Sequence, residues 1–113
     1  MNSQNKSLNL KNKLLNLKNK CKKIKLVLSD VGGVLTDGGM YYSDQGEVMK
    51  KFNTRDGMAV ALLEKNIPTI LISKENSKIV KARAKKIHAA EALIGIDNKE
   101  ILLPTLCKKY KVK

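Results

Sequence analysis

The stretch Lys25–Gly39, KLVLSDVGGVLTDGG, limits what this chain can fold into more than any other. An apolar run (Leu26, Val27, Leu28) ends on the carboxylate of Asp30. A glycine turn (Gly32, Gly33) follows, and a second carboxylate, Asp37, comes after it. A buried parallel strand presents an acid in this way at its carboxyl end, where open α/β sheets place their ligands. The same string also suits an ordinary glycine turn whose Asp only caps it, so downstream residues must decide between the two.

Those residues repeat the pattern. Ile24 to Ser29 reads as a first strand, and its nearly continuous apolar character suits a central parallel position. Met40–Tyr42 and Glu47–Phe52, separated by Ser43 to Gly46, read as a hairpin. A helix capped by Asn53 or Thr54 should run from Arg55 to Lys65 with Met58, Ala61, Leu62 and Lys65 at helical spacing. Ile67–Ser73 reads as a second buried strand. The next helix, capped by Asn76 or Ser77, turns Val80, Ala84 and Ile87 inward and its lysines outward. A short strand near Ala92–Ile94 and a last helix from about Asn98, bearing Ile101, Leu102, Leu106 and Tyr110 and interrupted at Pro104, complete the order. The expected class is α/β, a Rossmann-like parallel sheet with flanking helices, right-handed crossovers and a β-hairpin insertion. His88, at a helix end without an evident partner, is given no catalytic role.

Charge looks like a nucleic-acid signal until it is divided by position. The chain has 113 residues and a formal charge of +13, but residues 1–25 hold eight Lys and no acid, and the remainder is only +5. The excess therefore belongs to a Lys/Asn/Leu-rich extension, residues 1–23, in which LNLKNK occurs at Leu8–Lys13 and again at Leu15–Lys20. Leu10, Leu14, Leu17, Cys21 and Ile24 fall on one helix face, which suits an amphipathic leader or linker, a partner helix, or an anionic surface. The composition favours a disordered or merely solvated extension over those sharper readings. The body, residues 24–113, lacks the aromatic and basic strand that stacks bases, so no nucleic-acid partner is expected of it. No apolar run is long enough to span a membrane, and a cytoplasmic protein is expected. Cys21 and Cys107 have no metal-type spacing and read as free thiols.

Three strand ends then meet at one sheet edge: Asp30, Ser73 and the loop Gly95–Lys99. A carboxylate nucleophile, a hydroxyl and an ammonium together suit phosphoryl transfer through an aspartyl-phosphate. Amide groups of the Gly32–Gly33 turn could also cradle the phosphate.

At this point the residues resemble a family. SDVGGVLTDGG resembles the first motif of the haloacid-dehalogenase-like phosphatases, usually DVDGVLTDG. MYYSDQGEVMKKFNTRDGMAVALLEKN, ILISKENSKIVKARAKKI and LIGIDNKEILLPTLCKKYKV resemble the later segments of the branch acting on octulosonate 8-phosphate and nonulosonate 9-phosphate. The resemblance covers about residues 24–112. It implies a Mg²⁺-dependent phosphatase of sugar-acid biosynthesis, of the lipopolysaccharide or sialic-acid kind. Asp30 would be nucleophile and metal ligand, Gly32 would give the metal and substrate its backbone, Ser73 the phosphate-binding hydroxyl and Lys99 the third-motif lysine. Asn53, Thr54, Arg55, Asp56, Gly57 and Arg83 would contact the sugar acid, and hairpins of four subunits would assemble a homotetramer. Lys74, Glu75 and Asn76 lean toward the nonulosonate enzymes. Two departures stand beside these matches: Gly32 occupies the place of the family's general-acid aspartate, and the sequence ends at Lys113 before an acidic fourth motif, which would leave an incomplete domain with the Asp30 strand at an exposed edge. The alternative is an inactive remnant of that fold, kept for assembly or left from a fusion with a sugar-acid-activating domain.

Overall fold

The computed structural model describes residues 3–113. Its elements, in chain order, are α1 (Ser3–Lys22), β1 (Val27–Asp30), β2 (Tyr41–Ser43), β3 (Gly46–Met49), α2 (Thr54–Leu63), β4 (Thr69–Ile72), α3 (Lys78–Lys86), β5 (Glu91–Leu93), a 3₁₀ turn (Lys99–Ile101) and α4 (Leu102–Lys109). β1, β4 and β5 form one parallel sheet with β4 in the centre. Registers of Asp30 with Ile72, and of Ile72 with Leu93, bring all three strand ends level. The α/β class and the hairpin insertion are as the sequence indicates.

β4 organises the core because both of its faces are covered. Leu71 packs with Val31, Val60, Val80, Ala84 and Ile87 on the side of α2 and α3. Ile70 and Ile72, pointing the other way as alternation requires, pack with Leu106, Leu102 and Tyr110 of the C-terminal segment. Ile70 and Leu71 are wholly buried, and each such side chain contributes roughly 1.5–3 kcal/mol of transfer free energy.

Several expectations are corrected. β1 starts at Val27 rather than Ile24; it lies half-buried at the sheet edge, the second of the two positions expected for the Asp30 strand, and the central, fully covered strand is β4. The first hairpin strand is shifted by one residue and the second is shorter than expected, with a register irregularity between Tyr41 and Tyr42, and Phe52 instead bridges to Thr36. In α2 the inward positions are Gly57 and Val60, while Met58 and Leu62 are exposed. The phase shifts because Gly57 is pressed against α3: a Cβ there would lie 2.7 Å from Arg83 Nη2 and 2.9 Å from Ile87 Cγ2. Ile101 is likewise exposed, because the 3₁₀ turn winds more tightly than the α-helix the spacing assumes. Pro104 is the third residue of α4, in the first turn, where its missing N–H costs nothing; the restart from 3₁₀ to α-helix falls two residues earlier, at Leu102. His88 adopts a left-handed φ of 64° and its Nδ1 lies 3.7 Å from Glu64, a partner the sequence did not suggest.

α1 stands apart from this body. All 20 of its residues form a helix, yet none is buried. Leu8, Leu10, Leu14, Leu15 and Leu17 are more than half exposed, and the helix makes the molecule 62 Å long against 32 and 25 Å in the other directions. Among the described residues no helix is long and apolar enough to cross a membrane.

Candidate active site

Asp30 ends β1 and is held from both sides. Its Oδ1 accepts a hydrogen bond from the Val31 amide (2.8 Å) and another from Lys99 Nζ (2.8 Å). The Lys99 ammonium is the main reason the Asp30 pKa falls below the usual carboxylate value; partial burial opposes it, and the Val31 amide adds to it. Asp30 is therefore ionised at neutral pH. Because both bonds land on Oδ1, Oδ2 stays open to a ligand. Its side chain is 49% exposed and that of Lys99 39%, so the pair shapes the site more than it stabilises the fold.

The turn after Asp30 is built to hold still. Val31 is 1% exposed, and its carbonyl accepts from the amides of Val34, Leu35 and Thr36. Thr36 Oγ1 accepts from the amides of Gly33 (3.1 Å) and Gly38 (3.2 Å). Gly33 and Gly38 need to be glycine, with φ of 77° and 82°. Gly32 does not: its φ is not left-handed, and an added Cβ would meet nothing within 4 Å. Since Thr36 takes the Gly33 amide, the cradle expected from two glycine amides reduces to that of Gly32.

The other strand ends supply the opposite wall. Ser73, directly after β4, is 6% exposed, and its amide donates to Leu93 O (2.8 Å) while its carbonyl accepts from Ile96 N (3.0 Å). Gly95, at φ 69°, turns the chain so that its amide donates to Glu75 O (3.1 Å). Asn98 Oδ1 then caps the 3₁₀ turn through the Glu100 amide, which aims Lys99 back at Asp30. Together these residues enclose a cleft of about 330 Å³. Asp30, Gly32, Ser73 and Lys99 all line it, as expected, and so do Lys50, Lys74, Glu75 and Asp97.

Lys50 was not singled out by the sequence. Its Nζ lies 3.0 Å from Glu47 and 3.1 Å from Glu75, with the side chain only 7% exposed. Burial favours its neutral form, but the two carboxylates outweigh burial and hold its pKa above the usual lysine value. A run of two lysines, Lys50-Lys51, gave no sign of which one turns inward.

The expected sugar-contacting residues gather elsewhere. Asn53 and Asp56 line an adjoining cleft of about 270 Å³ with Thr36, Asp37 and Phe52. Asn53 Oδ1 caps α2 through the Arg55 amide (2.8 Å), and its carbonyl accepts from Arg83 Nη2 (3.1 Å). Arg83 also stacks over the Phe52 ring at 5.2 Å. Thr54 and Arg55 line neither cleft, and Gly57 is buried at the α2–α3 contact, where its role is close packing.

Solved structures share this fold. The cobalt-bound deoxy-D-mannose-octulosonate 8-phosphate phosphatase of Haemophilus influenzae is 34% identical, with a TM-score of 0.74 over 80% of this chain and 53% of that one. The 3-deoxy-D-manno-octulosonate 8-phosphate phosphatase of Moraxella catarrhalis, in complex with magnesium, phosphate and a KDO molecule, is 34% identical with a TM-score of 0.76, covering 84% and 55%. The chain belongs to the haloacid-dehalogenase-like superfamily. A Legionella pneumophila protein assigned to subfamily III A of that superfamily gives a TM-score of 0.82 at 28% identity, over 94% of this chain and 59% of that one. The chain thus spans little more than half the length of these structures. No protein-family profile and no curated protein sequence matches it.

The family's usual cation can be tested against the donors present. Among the described residues no group of three or more His, Cys, Asp or Glu side chains is placed to hold a metal. Mg²⁺ commonly takes only one or two carboxylates together with phosphate oxygens and waters. Asp30 and Gly32 on the cleft wall fit part of such a set, with a bound phosphate completing it.

Proposed function

We propose that this chain carries the phosphoryl-accepting site of a Mg²⁺-dependent phosphatase acting on an acidic sugar phosphate, of the octulosonate 8-phosphate or nonulosonate 9-phosphate type. The observation that carries the reading is the convergence of Asp30, Ser73 and Lys99 on one cleft at the carboxyl edge of a parallel sheet. The open Oδ2 of Asp30 attacks phosphorus, the P–O bond to the sugar breaks, and an aspartyl-phosphate forms. Ser73 Oγ and the Gly32 amide donate to phosphoryl oxygens, and Lys99 neutralises charge growing on the transferred group. Water then attacks phosphorus, releasing phosphate and restoring Asp30. A bound Mg²⁺ would supply further charge neutralisation between Asp30 and the phosphate. Gly32 cannot protonate the leaving alkoxide or activate the water, so both proton transfers fall to solvent and both steps are slow.

The same reading places the enzyme in the cytoplasm and assembles it as a homotetramer through the hairpin, where Met40, Tyr41, Tyr42, Val48 and Met49 are 45–64% exposed. Phosphate release from sugar-acid phosphates at saturating Mg²⁺, absent in Asp30→Asn, tests it. No release from any phosphate ester by the wild type or by Gly32→Asp overturns it.

A further inference from the structure

Lys50 is a nearly buried charge for which the mechanism above has no use. It follows β3 directly, and its ammonium joins Glu47, on that strand, to Glu75, on the loop after β4. Glu47 is 12% exposed and Glu75 47%, so Lys50 is anchored firmly on the hairpin side and reaches out to a more exposed partner on the cleft wall. The carbonyl of the same Glu75 accepts the Gly95 amide, and Ser73 and Ile96 are bonded through their backbones. The loops that carry Ser73 and Lys99 therefore meet at the residue Lys50 holds. An isolated two-stranded hairpin is marginal by itself, and β2 is exposed along its whole length. Its position beside the cleft, whose wall it reaches through Lys50, must come from a few ties to the body, and charge-assisted bonds to a buried ammonium are the strongest kind available.

We propose that Lys50 is a positioning residue for the Asp30 site. By clipping the hairpin to Glu75 it sets the width of the cleft between the hairpin and the Ser73 and Lys99 loops, and so governs how a ligand larger than phosphate fits. The kinetic part of this rests on the phosphatase reading; the structural part does not. Hydrogen exchange on the wild type, Lys50→Met, Lys50→Arg and Glu75→Ala separates them. Exchange at the Gly95 and Ile96 amides should rise by about tenfold in Lys50→Met and in Glu75→Ala, as expected for losing a charge-assisted bond, while Lys50→Arg and the β4 amides of Ile70 and Leu71 stay at wild-type rates. Lys50→Met should also raise KM more for an acidic sugar phosphate than for p-nitrophenyl phosphate, since only the larger ligand extends beyond its phosphate into the space the clip sets. Loosened Gly95 and Ile96 amides without any turnover uphold the clip and sink only the phosphatase. Unchanged exchange at those amides in both Lys50→Met and Glu75→Ala, or an equal rise throughout β4, overturns the clip.

Discussion

Lys99 Nζ lies 2.8 Å from Asp30 Oδ1, joining two side chains 69 residues apart in sequence. The contact exists because β1 and β4 pair in register and the loop after β5 folds back across their ends. It lowers the Asp30 pKa, so folding gains from the ionised carboxylate at all pH values above its unfolded value near 3.8, and the gain disappears as pH falls below that range. Lys99→Met should raise the Asp30 pKa, seen by carboxyl-carbon NMR titration. It should also reduce phosphoryl transfer by about 10²–10³-fold, the usual cost of removing one charge-stabilising donor. An Asp30 titration curve unmoved by the substitution would contradict the pairing.

Tyr110 and Glu91 tie the C-terminal turn to β5 through a 2.6 Å hydrogen bond. Burial, reinforced by the Glu91 carboxylate, pushes the Tyr110 hydroxyl up to about 12. A raised phenol pKa stabilises the fold below the ordinary value of 10, and that contribution is lost as pH rises from 10 towards 12. Tyr110→Phe should lower stability by about 1 kcal/mol at neutral pH. The difference from wild type should shrink above pH 10 in chemical denaturation; a constant difference across that range would refute the bond.

Gly57 is fixed by contact with α3. Its substitution by Ala puts a Cβ 2.9 Å from Ile87 Cγ2, and overpacking of this kind costs roughly 1–3 kcal/mol. A thermal melt of Gly57→Ala should show the loss. An unchanged or raised melting temperature would mean that α2 and α3 can separate freely.

Removing residues 1–22 should leave the body's melting temperature within about 2 °C of the full chain, because α1 buries no residue of its own. If the extension acts on an anionic surface, binding to anionic vesicles or RNA should fall steeply with salt and vanish in the shortened chain. A large drop in melting temperature would show that α1 packs on the body.

Much of this was legible in residue order. The carboxylate after an apolar run, and the repeats of that pattern at Ser73 and Gly95–Lys99, located the site because parallel strands deliver their ends to one edge. Val80, Ala84 and Ile87 announced the inner face of α3 through spacing alone. What stayed hidden depended on contacts between elements. The phase of α2 turns on a glycine admitting Arg83 and Ile87, and Lys50 differs from Lys51 only through where Glu47 and Glu75 lie in space. The division between the Asp30 cleft and the Asn53–Arg83 cluster was equally invisible, since FNTRDG reads as one segment but serves helix capping, a second cleft and helix packing at different positions.

The central claim is that Asp30 accepts a phosphoryl group and that Gly32, which carries no proton, limits the rate of turnover. The backbone tolerates a side chain there, because a Cβ added at Gly32 meets nothing within 4 Å and needs no left-handed conformation. The most direct measurement is to quench the wild type, Asp30→Asn and Gly32→Asp during reaction with Mg²⁺ and an aryl phosphate, and to map covalent phosphate by peptide mass spectrometry. The account expects phosphate on Asp30 in the wild type, none in Asp30→Asn, and faster turnover in Gly32→Asp by about 10²–10⁴-fold, the range of a general acid–base contribution. Absence of phosphate on Asp30 in both the wild type and Gly32→Asp would contradict it.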